Sequence, residues 1–258
     1  THSYEPTPQD IITIGNADVF IYVGGENDTW VDNVLKSVDN KDLKVIKLLD
    51  IVDAVEEETV DGMDMSGEEE EDSSSETSNE EEVEWDEHVW TSPVNAITIS
   101  QYLCSTFSEL DKENETSYKS NLKAYVEKLQ DIDKQFRDVV ENGKRKEIIV
   151  GDRFPLRYFV EEYGLDYYAA FPGCAGDTEA SASTIAFLTD KVMEDKIPVV
   201  FTIELSNGNI AKSISEATNA KVMTFYSCHN VTKEDFEAGL TYIDFMEKNI
   251  ESLKEALN

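Results

Sequence analysis

"ENETSYKSNLKAYVEKLQDIDKQFRDVVEN" (residues 113–142) decides how this chain is organised. No Pro or Gly interrupts it. Tyr118, Leu122, Tyr125, Leu129, Ile132, Phe136 and Val139 recur in alternating steps of four and three. That spacing draws one apolar stripe along a helix. At 1.5 Å per residue the helix is about 45 Å long, longer than one small lobe is wide. A coiled-coil arm is one reading of such a helix. A rigid strut crossing two lobes is the other, and the flanking sequence favours it.

Upstream, "DVFIYVG" (18–24) and "LKVIKLL" (43–49) are short β-rich runs around a helical "DTWVDNVLKSV" (28–38). A βαβ unit of this kind implies a parallel sheet. A further helix is expected from Pro93 to about Leu110. Downstream the alternation restarts. Strands are predicted at 147–151, 166–171, 197–205 and 221–226. Helices are predicted at 154–164, ending at Gly164, at 178–196 with Thr178 as N-cap, at 209–220, and from about Lys233 to the end. The expected fold is therefore α/β: two Rossmann-like lobes with parallel sheets, joined by one long rigid helix, with a cleft between the lobes. The expected boundaries are 1–112 for the first lobe, 113–142 for the linking helix and 143–258 for the second lobe. Ligands of open parallel sheets sit beyond the carboxyl ends of the strands.

The charge is lopsided. The 258 residues carry 55 Asp and Glu against 22 Lys and Arg, for a net charge of −33. Residues 56–87 alone hold 17 acidic side chains and no basic one. Such a composition cannot bury a core, so 56–84 is expected to be a disordered acidic loop. A surface this acidic argues against nucleic acid, which needs Lys and Arg clusters, and attracts cations. No apolar run is long enough to span a bilayer, and no signal peptide is visible at the opening "THSYEPTPQD". Three cysteines are too few for a disulfide framework. Cys104 reads as a small core residue. Cys174 in "FPGCAGD" and Cys228 in "YSCHN" follow strands of the second lobe, as a disulfide or as two unrelated thiols.

The chain has three histidines: His2, His88 and His229. A lone histidine is more often a surface or core residue than a ligand. These three, however, all fall in loop-type sequence at or between strand ends. A metal site assembled from separate loops needs that placement. His88 sits in "EEEVEWDEHVW" (80–90), between Trp85 and Trp90 at the end of the acidic run, where the tryptophans can pack that run against the first lobe.

"HSYEPTPQDI" (2–11), "DEHVWTSP" (86–93), "YFVEEYGL" (158–165) and "YIDFMEKNIESLKEAL" (242–257) together resemble the metal-specific substrate-binding proteins of bacterial ABC importers, the zinc and manganese cluster A-I. The resemblance runs in order over nearly the whole chain. It implies two α/β lobes on a rigid helix with one metal at their interface. It also implies a leader, a strand and a helix ahead of the first histidine, so a trimmed start is expected. His2 and His88 match the first two metal ligands of that family. The third ligand position falls on Gly151 in "VGDRFPLRYFVEEYGL" (150–165), and glycine has no donor. His229 in "FYSCHN" (225–230) can restore a three-histidine set, with Asp152 or Cys228 as a further donor. If Cys174 and Cys228 form a bond, Cys228 is not a ligand.

Three imidazoles with one oxygen or sulfur make a tetrahedral site suited to zinc. Manganese, which prefers more carboxylate, is the alternative cargo. The function the resemblance implies is capture of zinc outside the cytoplasm and delivery to ABC permease subunits in the membrane, by a monomer held as a periplasmic protein or cell-surface lipoprotein. A zinc hydrolase is the competing class. It lacks HExxH here, and its one offered base, Glu204 at a strand end, reads better as structural. A calcium-buffering protein would rest on the acidic run alone, since no EF-hand loop is present. No enzyme is expected.

Overall fold

The second lobe is built on β3 (Glu147–Arg153), β4 (Asp166–Phe171), β5 (Val199–Thr202) and β6 (Lys221–Thr224), which form one parallel sheet in the order β4-β3-β5-β6. The structure, a computed structural model, describes residues 4–65, 84–173, 175 and 180–258. The strands read as near-continuous apolar runs because both faces of the sheet are covered. Ile148 and Val150 point into one cluster and Ile149 into the other; Val199 and Phe201 likewise part from Val200. The first cluster is closed by α4 (Glu115–Asn142), α5 (Arg157–Tyr163) and α9 (Tyr242–Leu257). The second is closed by α6 (Ala182–Glu194) and α7 (Asn209–Thr218).

The long helix is no free arm. α4 runs unbroken for 28 residues. Its first half lies along α3 (Pro93–Leu110), where Tyr118 meets Phe107 with ring centroids 6.1 Å apart. Its second half drives Leu129, Ile132, Phe136 and Val140 into burial, the last three within the core of the four-stranded sheet. The stripe seen in the sequence is thus the seam that ties α3 to the second lobe.

The other lobe has α1 (Pro8–Gly15), β1 (Val19–Tyr22), α2 (Trp30–Ser37) and β2 (Lys44–Lys47). β1 and β2 pair in parallel, in register from Val19↔Lys44 to Tyr22↔Lys47. A small cluster of Leu49, Val89 and Tyr158 joins this side to α5.

Three local expectations are corrected. Residues 56–65 do not drift free: they lie on the second lobe. Glu57 N donates to Glu84 O (2.9 Å), Tyr167 Oη to Glu58 O (3.3 Å) and Asp64 N to Ala170 O (2.8 Å), while Val60 and Met63 pack on the core. The two apolar side chains and these carbonyl partners outweigh the acidic composition. The rest of the acidic stretch, 66–83, lies outside the described residues. The last helix is broken into α8 (Lys233–Glu237) and α9, because Gly239 turns at φ +73° and Thr241 opens a new capping box with Asp244. α6 starts at Ala182, where the Ser181 hydroxyl accepts from Thr184 N (3.2 Å); Thr178 lies outside the described residues.

Candidate metal centre

His88 comes from the segment that returns from the acidic stretch. Its backbone is pinned on both sides. Asp86 N donates to Val55 O (3.0 Å), Tyr158 Oη donates to Asp86 O (2.8 Å), and Thr91 N donates to His88 O (3.0 Å). Ser92 then caps α3 at Asn95 N. The imidazole is only 1% exposed. Its Nδ1 stands 3.2 Å from Asp86 Oδ1, which also accepts the His88 backbone N–H at 2.8 Å.

His229 comes from the loop beyond β6. That loop is folded around one buried carboxylate. Glu204 accepts from Ser227 N (2.8 Å), Ser227 Oγ (2.7 Å), His229 N (3.0 Å) and Asn230 N (3.2 Å). Four donors converging on one side chain bend the chain so tightly that Cys228 takes a left-handed conformation, φ +58°. Of the two roles considered for Glu204, these four hydrogen bonds support the structural one over that of a general base.

The two histidines meet. Their ring centroids are 5.6 Å apart, and Trp90 stands 5.6 Å from one and 5.7 Å from the other. Trp90 also staples the two loops, since its Nε1 donates to Ser227 O (3.0 Å) and its own carbonyl accepts from Tyr242 Oη (2.9 Å). All three rings line a cavity of about 450 Å³, whose wall also includes residues of α1 and β1. Glu87 in its wall is committed to Asn27, through N (2.9 Å) and Nδ2 (3.0 Å). The His229 imidazole titrates below the ordinary histidine value. Burial is the main cause, and the neighbouring His88 adds to it. Both favour the neutral ring, the form that binds a metal.

The remaining candidates fall elsewhere. His2 lies outside the described residues. Asp152 does not line the cavity; its two oxygens accept from Arg153 N (2.9 Å) and Thr202 Oγ1 (2.9 Å), tying together the ends of β3 and β5. Cys228 packs on the core of the second lobe as a free thiol. Burial, with the Glu204 charge behind it, pushes that thiol up to about 12, and Cys228 does not line the cavity. Cys174 lies outside the described residues. Among the described residues, no three His, Cys, Asp or Glu side chains are grouped to hold a metal ion.

Gly151 is also explained. A Cβ there would lie 2.8 Å from the backbone of Ala211 on α7. Position 151 faces that helix and cannot aim a donor at the cleft, so the third ligand of the resembling family has no counterpart there. The register shift between Val150 and Arg153 turns the strand end, and the Arg153 charge is among those that depress His229, after burial and His88. Gly151→Ala is expected to cost about 1–3 kcal/mol, as overpacking does, measured by chemical denaturation. A cost near zero would place the residue in open space. Sequence reading missed Asp86, Arg153 and Gly173, whose roles depend on close approach in space.

Two α/β layers sharing one long helix, with imidazoles from separate loops meeting at the carboxyl ends of the strands, define a two-lobed α/β binding protein. The chain belongs to the family described as ZnuA, zinc-uptake complex component A periplasmic, which it matches over residues 1–256. It is 31% identical over 255 residues to the zinc-binding lipoprotein AdcA of Streptococcus pneumoniae strain R6, a match covering 98% of this chain and 48% of that protein. It is 31% identical over 256 residues to the high-affinity zinc uptake system protein ZnuA of Bacillus subtilis, covering 99% of this chain and 77% of that one. The crystal structure of the Zn(II)-bound ZnuA-like domain of Streptococcus pneumoniae AdcA superposes with a TM-score of 0.76 at 29% identity, covering 99% of this chain and 86% of that domain. The chain thus spans about half the length of the first of these relatives.

Proposed function

We propose that this chain captures one zinc ion between its lobes and hands it to an ABC importer in the membrane. The observation that carries the reading is the meeting of His88 and His229, two loop imidazoles at a ring separation of 5.6 Å. Imidazole nitrogen is a borderline-soft donor that selects zinc over calcium and magnesium, and His2 supplies a third nitrogen from the chain's first residues. The manganese alternative loses ground because Asp152 is committed to Arg153 and Thr202. A hydrolytic role loses ground because Glu204 is engaged in shaping a loop through backbone and hydroxyl donors. The relatives' names, a zinc-binding lipoprotein and a zinc uptake protein, support the same reading. So does the acidic composition of the chain, which attracts cations.

Work outside the cytoplasm, as a periplasmic protein or a surface lipoprotein, and docking of a monomer to permease subunits belong to this proposal. So does the division of the chain at 112 and 142. No helix among the described residues is long and apolar enough to cross a membrane.

Equilibrium dialysis against zinc in a large excess of calcium and magnesium tests the reading. One tightly held zinc per chain is expected. Many weak ions displaced by calcium would instead assign the chain to a buffering role.

A further inference from the structure

We propose that Asp86 is a positioning residue for the metal: it holds the proton of His88 on Nδ1 and so leaves the lone pair on Nε2 as the zinc donor. The inference rests on the zinc reading above for its purpose, and on local geometry for its content.

Both side chains are 1% exposed. In so dry a place each polar atom needs a partner. Asp86 Oδ1 faces two groups of His88, the backbone N–H at 2.8 Å and ring Nδ1 at 3.2 Å. A neutral imidazole carries a proton on one nitrogen and a lone pair on the other. An ionised carboxylate can only accept, so opposite it the proton belongs on Nδ1. The carboxylate cannot wander to serve another role. Its own backbone is tied to Val55 O and Tyr158 Oη. The ring is equally confined. The Gly173 backbone comes so close that a Cβ there would stand 3.3 Å from His88 Cε1 and 3.5 Å from Asp86 Oδ2. Trp90 stands against the ring at a centroid distance of 5.6 Å. Ring orientation and tautomer are therefore set before any metal arrives. That is what a carboxylate behind a metal-bound histidine does for affinity.

The rival role for Asp86 is a simple cap on the His88 backbone N–H. Tautomer separates the two. Protein labelled with 15N at histidine, free of metal and held at pH 8, is observed by long-range 1H–15N correlation. The His88 signals are assigned by their absence from His88→Gln. The parent is expected to show the Nδ1–H form. Asp86→Ala is expected to lose that single form and to bind zinc about 10–100-fold more weakly in chelator competition. A parent ring protonated on Nε2 overturns the proposal. So does an Asp86→Ala protein that keeps both the Nδ1–H form and the parent's affinity. Should Asp86→Ala not fold, Asp86→Asn keeps the volume and the backbone acceptor but only a neutral oxygen opposite the ring. Parent affinity in that variant overturns the proposal, and weakened affinity supports it. Because the tautomer is read without metal, a parent in the Nδ1–H form that binds no zinc overturns the zinc reading alone.

Discussion

Replacing His88 or His229 with Ala is expected to weaken zinc by about 100-fold, and replacing both to abolish tight binding. The size follows from a comparison of shells. Loss of a partner behind a ligand costs about 10–100-fold in metal affinity, so loss of a nitrogen donor itself belongs at or beyond the upper end. The two positions should behave alike because neither is a spare. His88 is presented by the segment anchored through Val55 and Tyr158, and His229 by the loop folded around Glu204. Each variant leaves those backbone anchors in place, so the fold should persist and circular dichroism should match the parent. His88→Ala opens the larger hole, since the ring is buried against Trp90 and Gly173; His88→Gln, which fills more of that space, separates lost packing from lost ligation. Affinity is measured by competition with a chromophoric chelator at pH 8. If both single variants hold zinc as the parent does, the metal sits elsewhere.

The fold was more legible than the site, and the reason is periodicity. Leu129, Ile132 and Phe136 recur at helical spacing because one face of α4 is buried. The "IIV" run of β3 (148–150) is apolar throughout because two cores flank it. Those are local consequences of burial, written in neighbouring residues. Residues 56–65 broke the rule: Val60 and Met63 are too sparse among acids to announce a packed segment, and Tyr167 and Ala170, which bond the backbone of Glu58 and Asp64, lie more than 100 positions away. The final helix was overextended for a related reason. "KEDFEAGLTYID" has enough helix formers to hide the break, and only Gly239 followed by Thr241 and Asp244 marks it.

The site is legible only where one residue type is rare. Three histidines in a chain of this size are few enough to weigh one by one, and two of them meet. Carboxylates gave no such signal. Among 55 acidic residues nothing local marks Asp86 as the one beside an imidazole, or Asp152 as the one that ties strand ends. Position 151 shows the limit of carrying a ligand across by alignment of motifs. The strand's facing decides what a side chain can reach, and here it faces α7. Glu204 is the exception, since an acid closing a buried strand invites a structural reading, and the loop it organises is the one that bears His229.

That loop should collapse when its centre is removed. Glu204→Ala is expected to destabilise the protein by about 3–5 kcal/mol, from loss of hydrogen bonds to a charged acceptor and from buried donors left unsatisfied. Four donors depend on the carboxylate, and two of them are backbone N–H groups of buried or half-buried residues that cannot turn to seek water: those of Ser227 and His229. Cys228 sits between them in a left-handed conformation that a free loop would abandon. With the loop released, His229 no longer stands at its fixed distance from His88, and zinc affinity should fall by about 10–100-fold, as for other groups that orient a ligand. Glu204→Gln is the sharper variant. It keeps the volume and one acceptor oxygen, but its amide presents donors where Ser227 N or His229 N also donate. The stability loss should therefore be smaller than for Ala while remaining measurable. Urea denaturation gives the first quantity and chelator competition the second. A Glu204→Ala protein as stable as the parent, with undiminished zinc affinity, would show that the loop holds its shape without the carboxylate and would return Glu204 to the list of chemically available groups.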